Sequence, residues 1–129
     1  MLNLEKIKSF DVLSKDEQLE ALTLIDKWKN IKSREKCKDD FLEFVQMMWQ
    51  GFIMGRHHKI LAEKFNRIAQ GKLKRLIVCL PPRHSKSEFA STFLPAWMMG
   101  LNPSLKIIQA THTAELAVRF GRRVRNIID

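Results

Sequence analysis

Two consecutive prolines, Pro81 and Pro82, constrain the fold of this chain more than any other feature of its sequence. Proline fixes its own φ angle and lacks the backbone N–H, so neither a helix nor a central strand can continue through the pair. The segment before them, 73–80, is short, apolar and β-branched in its middle, and Gly71 bounds its other end. This composition predicts a buried strand that stops at the prolines.

Helix signals lie on both sides of this segment. Ser14 and Glu17 match a capping box and predict a first helix to about Lys32, with 32–40 as a solvated connection. Apolar spacing, capping residues and terminal glycines predict the remaining elements. They are a helix capped by Asp39 or Asp40 and ending near Gly51, a helix between Gly55 and Gly71, a helix over 86–99 that Pro95 bends or shortens, a second strand over 105–110, and a last helix capped by Thr111 or Thr113.

The order of these elements predicts an α/β fold. Two strands joined by one helix should be parallel with a right-handed crossover. A parallel sheet is normally covered on both faces and has more than two strands, so the sheet is expected to be incomplete and to belong to a larger domain. Since an unpaired sheet edge promotes association, we expect the isolated chain to form oligomers or to dissolve poorly.

The charge and the cysteine content of the chain indicate the kind of partner and cellular compartment that suit it. The 129 residues include 23 basic and 14 acidic ones, for a net charge of +9, which suits a polyanionic partner but also fits a solvated surface. Cys37 and Cys79 lie far apart, and Cys79 falls in an apolar run, which favours a reducing compartment. No apolar stretch approaches the about 20 residues of a membrane span, and the charged N-terminus is unlike a signal peptide. These features indicate a soluble intracellular protein.

The turn after the first predicted strand carries the chemistry. A phosphate-binding loop directs backbone N–H groups at an anion near a helix N-terminus, a lysine adds charge, and a following hydroxyl binds Mg²⁺. Lys86 and Ser87 fit these two roles, but Leu80 and Ser85 stand where the loop pattern has glycines, and Pro82 lacks an N–H. The alternative is that the basic residues of this turn are ordinary surface charges.

Longer stretches favour the phosphate loop. "RLIVCLPPRHSKSEFAS", followed by "LPAWMMGLNPSLKIIQATHTAELAVRFGRRVRNIID", resembles the large terminase subunits of tailed bacteriophages, whose Walker A segment often reads P-P-R-H-[GST]-K-S-E. The upstream "FVQMMWQGFIMGRHHKILAEKF" is also similar to that family, and the likeness spans roughly residues 40–129. It implies an N-terminal helical segment over 1–38 and, over 39–129, the first part of a P-loop ATPase domain with an ASCE-type sheet. Ser85 is then a tolerated variant.

The resemblance also implies roles for individual residues. Lys86 would hold the β- and γ-phosphates of ATP, Ser87 the Mg²⁺ ion, and Arg83 the γ-phosphate as a catalytic residue. The residues expected to contact the nucleotide besides these are Pro82, His84, Ser85 and Glu88 in the loop, and Arg56, His57 and His58, for adenine, upstream. Thr111, His112 and Thr113 would lie along the carboxyl edge of the sheet, where α/β ligand sites form.

The implied activity is ATP-driven translocation of double-stranded DNA into a procapsid, in the host cytoplasm, with the portal protein and the small terminase subunit as partners and without a membrane. Such an ATPase needs an acidic pair after a later strand, one carboxylate for Mg²⁺ and one for water. The chain offers only Asp129 there, and the family's coupling motif and nuclease carboxylates would lie beyond it. We therefore expect at most weak nucleotide binding unless the rest of the large subunit or a complementing chain is present.

A second hypothesis is a non-catalytic remnant or regulatory protein that binds DNA or the packaging complex through arginines near the C-terminus. These are Arg119, Arg122, Arg123 and Arg125. A solvated helix face or an intersubunit surface accounts for them equally well. The histidines His57 and His58 could likewise simply begin a helix, and the chain has no zinc-ligand spacing.

Overall fold

The computed structural model describes residues 14–129, and within that range it contains helices and irregular segments but no β-strand. It divides into two compact units, Met1–Glu35 and Lys36–Asp129, and the division falls inside the first helix. The elements are α1 (Lys15–Asp39), α2 (Phe41–Met48), α3 (Arg56–Ala69), a π-helix π1 (Glu88–Phe93), α4 (Leu94–Leu101) and α5 (Ala114–Ile128). No helix in the described range is long and apolar enough to cross a membrane.

The predicted α/β fold with a parallel sheet is wrong, because 73–80 and 105–110 are both irregular. Their side chains do alternate: Leu76 and Val78 pack against the core, whereas Ile77 is 91% exposed. The alternation that suggested strands is therefore present. A strand also needs a neighbour that pairs with its backbone, and neither segment has one among the residues that the structure describes.

The capping box at the start of α1 is confirmed. The Ser14 N–H donates to the Glu17 carboxylate at 2.9 Å, and the Glu17 N–H donates to Ser14 Oγ at 3.3 Å. The helix continues to Asp39, so the connection predicted over 32–40 is wrong. That stretch is rich in lysine, arginine and glutamate, which are good helix formers, and basic residues in its last turn suit the negative end of the helix dipole.

A clamp between Asp40 and Asn66 fixes the start of α2 against α3. The Asp40 carboxylate accepts from the Leu42 N–H at 3.0 Å, as an N-cap, and from the Asn66 side-chain amide at 2.9 Å. The side-chain oxygen Oδ1 of Asn66 in turn accepts from the Phe41 N–H at 2.9 Å. The first turn of α2 is thereby satisfied, and Phe41 points into the core.

The core of Lys36–Asp129 is aromatic and is centred on Phe41, which is fully buried. Its ring meets those of Phe65, Phe89 and Trp97 edge-on, with centroids 5.3 to 5.5 Å apart. The Trp97 indole N–H also donates to the Cys37 carbonyl at 2.6 Å, which satisfies an acceptor in the last turn of α1. The buried cluster comprises Phe41, Val45, Leu61, Ala62, Phe65, Phe89, Phe93 and Trp97.

The predicted helix over 86–99 runs on to Leu101, and Pro95 lies just after the point where its bonding changes from π-helical to α-helical. The Leu94 N–H donates to the Phe89 carbonyl, five residues back, which is the π-helical bond. Pro95 has no N–H to offer the Ser91 carbonyl, its α-helical acceptor. The side-chain amide of Gln109 takes this role at 3.2 Å. Segment 105–110 is thus held to the helix by a side chain.

The hydrogen bond from Gln109 to Ser91 can be tested by two substitutions, made singly and together. Gln109→Met keeps the size of the side chain but leaves the Ser91 carbonyl unpaired, and we expect it to lower the free energy of unfolding by about 1 kcal/mol. Pro95→Ala restores a backbone N–H that can reach Ser91, so the cost of Gln109→Met should shrink in that background. Urea unfolding of the original chain, the two single variants and the double variant measures the coupling energy between positions 95 and 109. An equal cost in both backgrounds would show that Gln109 does not substitute for the missing N–H.

Candidate functional site

The loop of residues 80–88 encloses an open cavity of about 550 Å³, and its own consecutive residues line it. Pro81 and Pro82 lead the chain into a turn, and Lys86 and Ser87 are the first helical residues, continuing directly into π1. All the loop residues that sequence analysis selected therefore border one cavity. Most of them are exposed, as accessible binding groups must be.

The loop backbone is strained at two positions. Within residues 14–129, the non-glycine residues with positive φ are Arg83, at 63°, and Ser85, at 57°. Ser85 thus adopts the left-handed conformation that glycine provides in a phosphate loop. A change of backbone hand just before a right-handed helix makes successive N–H groups converge, as in anion-binding nests. Left-handed residues other than glycine are concentrated at functional sites.

The Lys86 ammonium lies across this loop. It donates to the Leu80 carbonyl, six residues earlier, at 3.5 Å, and the side chain is exposed. A hydrogen bond of that length is weak, so an anion that entered the cavity could replace it. Ser87 follows with helical angles, φ −70° and ψ −37°, and its hydroxyl makes no capping bond. Its oxygen is therefore available to a ligand.

Carboxylates do not gather at the loop. The Glu88 carboxylate forms an ion pair with Arg123 on α5, across 35 positions of sequence. No group of three or more histidine, cysteine, aspartate or glutamate residues in 14–129 could hold a metal ion. A magnesium ion at this loop would therefore rely on Ser87 and on the oxygens of its own phosphates.

Histidine rings connect α3 to the loop. The ring of His84 is 5.3 Å from that of His57, which is 3.8 Å from that of His58, and His58 stacks on Phe89 at 4.9 Å. His84 Nδ1 also lies 2.9 Å from the Pro82 carbonyl oxygen. The structure thus brings the upstream histidines next to the loop.

The buried histidine has a structural role. His58 Nδ1 accepts from the Gly55 N–H at 2.9 Å, which places the neutral ring's proton on Nε2. Among the described residues, this Nε2 is buried without a hydrogen-bond partner, as is that of His57. Burial lowers the pKa of His58, and the neighbouring His57 and His84 lower it further. Arg56 is exposed at the start of α3.

The arginines of α5 differ in their surroundings. Arg123 is partly buried and held by Glu88, whereas Arg119, Arg122 and Arg125 are exposed. Arg125 also lies 4.0 Å from the Asp129 carboxylate. Sequence reasoning missed the pair of Glu88 and Arg123, and no local spacing indicates it.

The placement of 111–113 at the edge of a sheet is wrong, because the described chain has no sheet. Thr113 instead caps α5, and its hydroxyl accepts from the Leu116 N–H at 3.3 Å. The Thr111 hydroxyl donates to the Thr113 carbonyl at 2.7 Å. His112 lies on the exposed surface between them.

Comparison of the chain with protein-family models, with curated proteins and with solved structures finds no match in any of the three. The likeness to terminases therefore rests on the motif residues of the sequence. The interpretation of the site rests on the geometry of the loop and its supports.

Replacement of serine by glycine should change the free energy of unfolding in opposite directions at Ser85 and at Ser87. Ser85→Gly removes a left-handed φ that costs a side chain about 1 kcal/mol, so it should raise the free energy of unfolding. Ser87→Gly, two residues on in a right-handed helical conformation, should lower it by about 0.5 kcal/mol. Denaturant unfolding of both variants beside the original chain measures the two effects. A loss of stability in Ser85→Gly would contradict the assigned strain.

The lowered pKa of His58 makes stability depend on pH. As pH falls below about 6.5, the unfolded chain binds a proton at this position while the folded chain resists it. Protonation would also convert Nδ1 from an acceptor to a donor facing the Gly55 N–H. The free energy of unfolding should therefore fall from pH 7.5 to pH 5.5, and less steeply in His58→Gln. An unchanged slope in His58→Gln would refute the assignment.

Proposed function

We propose that the loop of residues 80–88 binds the phosphates of ATP as its magnesium complex, and that the chain is the N-terminal ATPase portion of a phage terminase large subunit, which packages double-stranded DNA. The supporting observation is the position of the Lys86 ammonium at a cavity whose backbone turns through two left-handed residues into a helix. This arrangement combines a cation with converging N–H groups.

The charge balance of the loop supports a polyphosphate ligand. Arg83 and Lys86 are both exposed at the cavity, whereas its acid, Glu88, is neutralised by Arg123. The cavity is therefore cationic, and the positive end of the helix that starts at Lys86 adds to the potential. Its volume lies within the range of sites that take small ligands.

The proposed roles follow from these positions. Lys86 binds the β- and γ-phosphates, Ser87 contributes its hydroxyl to the magnesium ion, and Arg83 contacts the γ-phosphate. Binding of the anion stabilises the unusual φ angles of the loop, because the N–H groups they direct gain a partner. The contact of His57 with His84 places the upstream residues next to the phosphate loop, which supports adenine contact by Arg56 and His57. His58, buried behind them, positions His57.

Nucleotide binding and hydrolysis make different demands on the protein. Hydrolysis needs a carboxylate that orients or activates water. Among the cavity-lining residues the acid is Glu88, and Arg123 holds it. The proposal therefore assigns binding to this chain and the catalytic carboxylate to the remainder of the large subunit or to a complementing chain. The complete motor would work with the small subunit at the portal of a procapsid in the host cytoplasm.

Titration calorimetry with ATP and Mg²⁺ tests this function. Lys86→Ala should weaken binding about tenfold or more, which corresponds to about 1.4 kcal/mol. Ser87→Ala should weaken binding in Mg²⁺ but not in excess chelator, since its hydroxyl serves the metal. Lys74→Ala removes an exposed lysine outside the loop and is the control. Equal ATP binding by the original chain and by Lys86→Ala would refute the proposal.

The exposed arginines of α5 support the second candidate, DNA binding without nucleotide. Double-stranded DNA binding that Arg119→Ala and Arg122→Ala reduce, in a chain that binds no ATP, would favour it. Since phosphate contacts release counterions, such binding should also weaken steeply with salt.

A further inference from the structure

One ion pair joins the loop of residues 80–88 to the last helix. The Glu88 carboxylate, which borders the cavity of this loop, accepts a hydrogen bond from the Arg123 guanidinium of α5. The two side chains are 36% and 39% exposed, so the pair lies between the core and the solvent. Salt screens charges in such a place less than it screens fully exposed ones. The pair can therefore influence the electrostatic potential inside the cavity.

The packing of α5 directs Arg123 to the loop. Phe120 and Val124 of this helix are buried, and they fix its rotation about its own axis. Arg123 is only partly exposed and meets Glu88 at the start of π1, whereas Arg119 and Arg122 are exposed. Core packing thus turns Arg123 away from the exposed arginines of the same helix.

Arg123 acts on the cavity without lining it. The cavity is lined by residues 80–88, where Arg83 and Lys86 supply positive charge and Glu88 supplies negative charge. A carboxylate without a partner would offset one of these two cations and would repel a phosphate. The guanidinium of Arg123 compensates for the carboxylate from the neighbouring helix. The positive charge of the cavity therefore depends on a residue outside it.

The effect of this compensation grows with the charge of the ligand. Coulomb energy is proportional to the product of the charges, so an unpaired carboxylate would repel inorganic triphosphate more strongly than inorganic phosphate. A contact that only maintains the shape of the loop has no such dependence, because a distorted loop would bind both anions less well. The charge of the ligand thus separates an electrostatic role of the pair from a structural one.

We infer that Arg123 is a positioning residue of the phosphate cavity, and that it selects polyphosphates over anions of lower charge by holding the Glu88 carboxylate. The inference rests on the proposed function of the loop, and it assigns Arg123 to that site rather than to a DNA-binding surface. It also defines the class of ligand, since the cavity favours a chain of phosphates over a single one.

Titration calorimetry of the full chain with inorganic triphosphate, and displacement of the triphosphate by inorganic phosphate, test this inference in the absence of Mg²⁺. Arg123→Met should weaken triphosphate binding roughly tenfold but phosphate binding only about twofold. Adding Glu88→Gln to Arg123→Met should restore triphosphate binding, because no carboxylate is then left without a partner. Arg67→Met removes an exposed arginine in the last turn of α3, outside the cavity lining, and should leave both affinities unchanged.

Glu88→Gln alone decides between the two roles even if Arg123→Met does not fold. It should bind triphosphate at least as tightly as the original chain, because Arg123 keeps its charge, whereas a purely structural ion pair predicts weaker binding. Arg123→Lys, which also keeps the charge, should retain the affinity, and circular dichroism checks the folding of each variant.

The outcomes distinguish this inference from the proposed function. Weaker triphosphate binding by Glu88→Gln, or equal triphosphate binding by the original chain and a folded Arg123→Met, would overturn the role of Arg123 and leave the phosphate loop standing. An equal loss for triphosphate and phosphate in Arg123→Met would also overturn it. An original chain that binds neither triphosphate nor ATP would overturn both proposals.

Discussion

The contact of the Phe41 ring with three other aromatic rings is the interaction on which the structure of Lys36–Asp129 depends. Phe65, Phe89 and Trp97 come from α3, π1 and α4, so one fully buried side chain joins four elements. Edge-on aromatic pairs add a directional preference to the burial of apolar area. The same contact fixes the end of the loop of residues 80–88, because Phe89 follows Lys86 by three residues. The packing of Phe89 in the core thus determines the place at which the helix begins at Lys86.

The loop is held from several sides, and this explains how it keeps strained angles. Burial of Phe89 anchors its end, the ion pair of Glu88 with Arg123 ties it to α5, and the ring of His84 rests near that of His57. Each left-handed residue costs free energy that such contacts offset. If the loop binds an anion as proposed, these contacts would reduce the conformational entropy that binding removes from it. The two left-handed residues and the contacts that hold them are therefore parts of one local structure.

Local sequence patterns predicted the local parts of this structure. The capping box of Ser14 and Glu17 and the left-handed Gly71 follow from neighbouring residues, and both are present. The segments 73–80 and 105–110 show the burial alternation of strands, but pairing depends on a distant partner that periodicity cannot reveal. The hydrogen bond of Gln109 to Ser91 and the ion pair of Glu88 with Arg123 join residues 18 and 35 positions apart, so no local sequence pattern predicts them. The loop could be located because its residues are consecutive, whereas its supports could not.

The charge of the chain and the shape of the loop make different contributions to ligand choice. A net charge of +9 attracts any polyanion, including a DNA duplex, without regard to its structure. The phosphates of a duplex lie on a convex surface, and in the second candidate function they would meet the exposed Arg119 and Arg122. In the proposed function, a terminal triphosphate would instead enter the concave loop that Lys86 and its neighbours line. Under the proposed function, selectivity for nucleotide over DNA would come from the left-handed backbone at Arg83 and Ser85, which shapes the cavity, rather than from the number of basic residues.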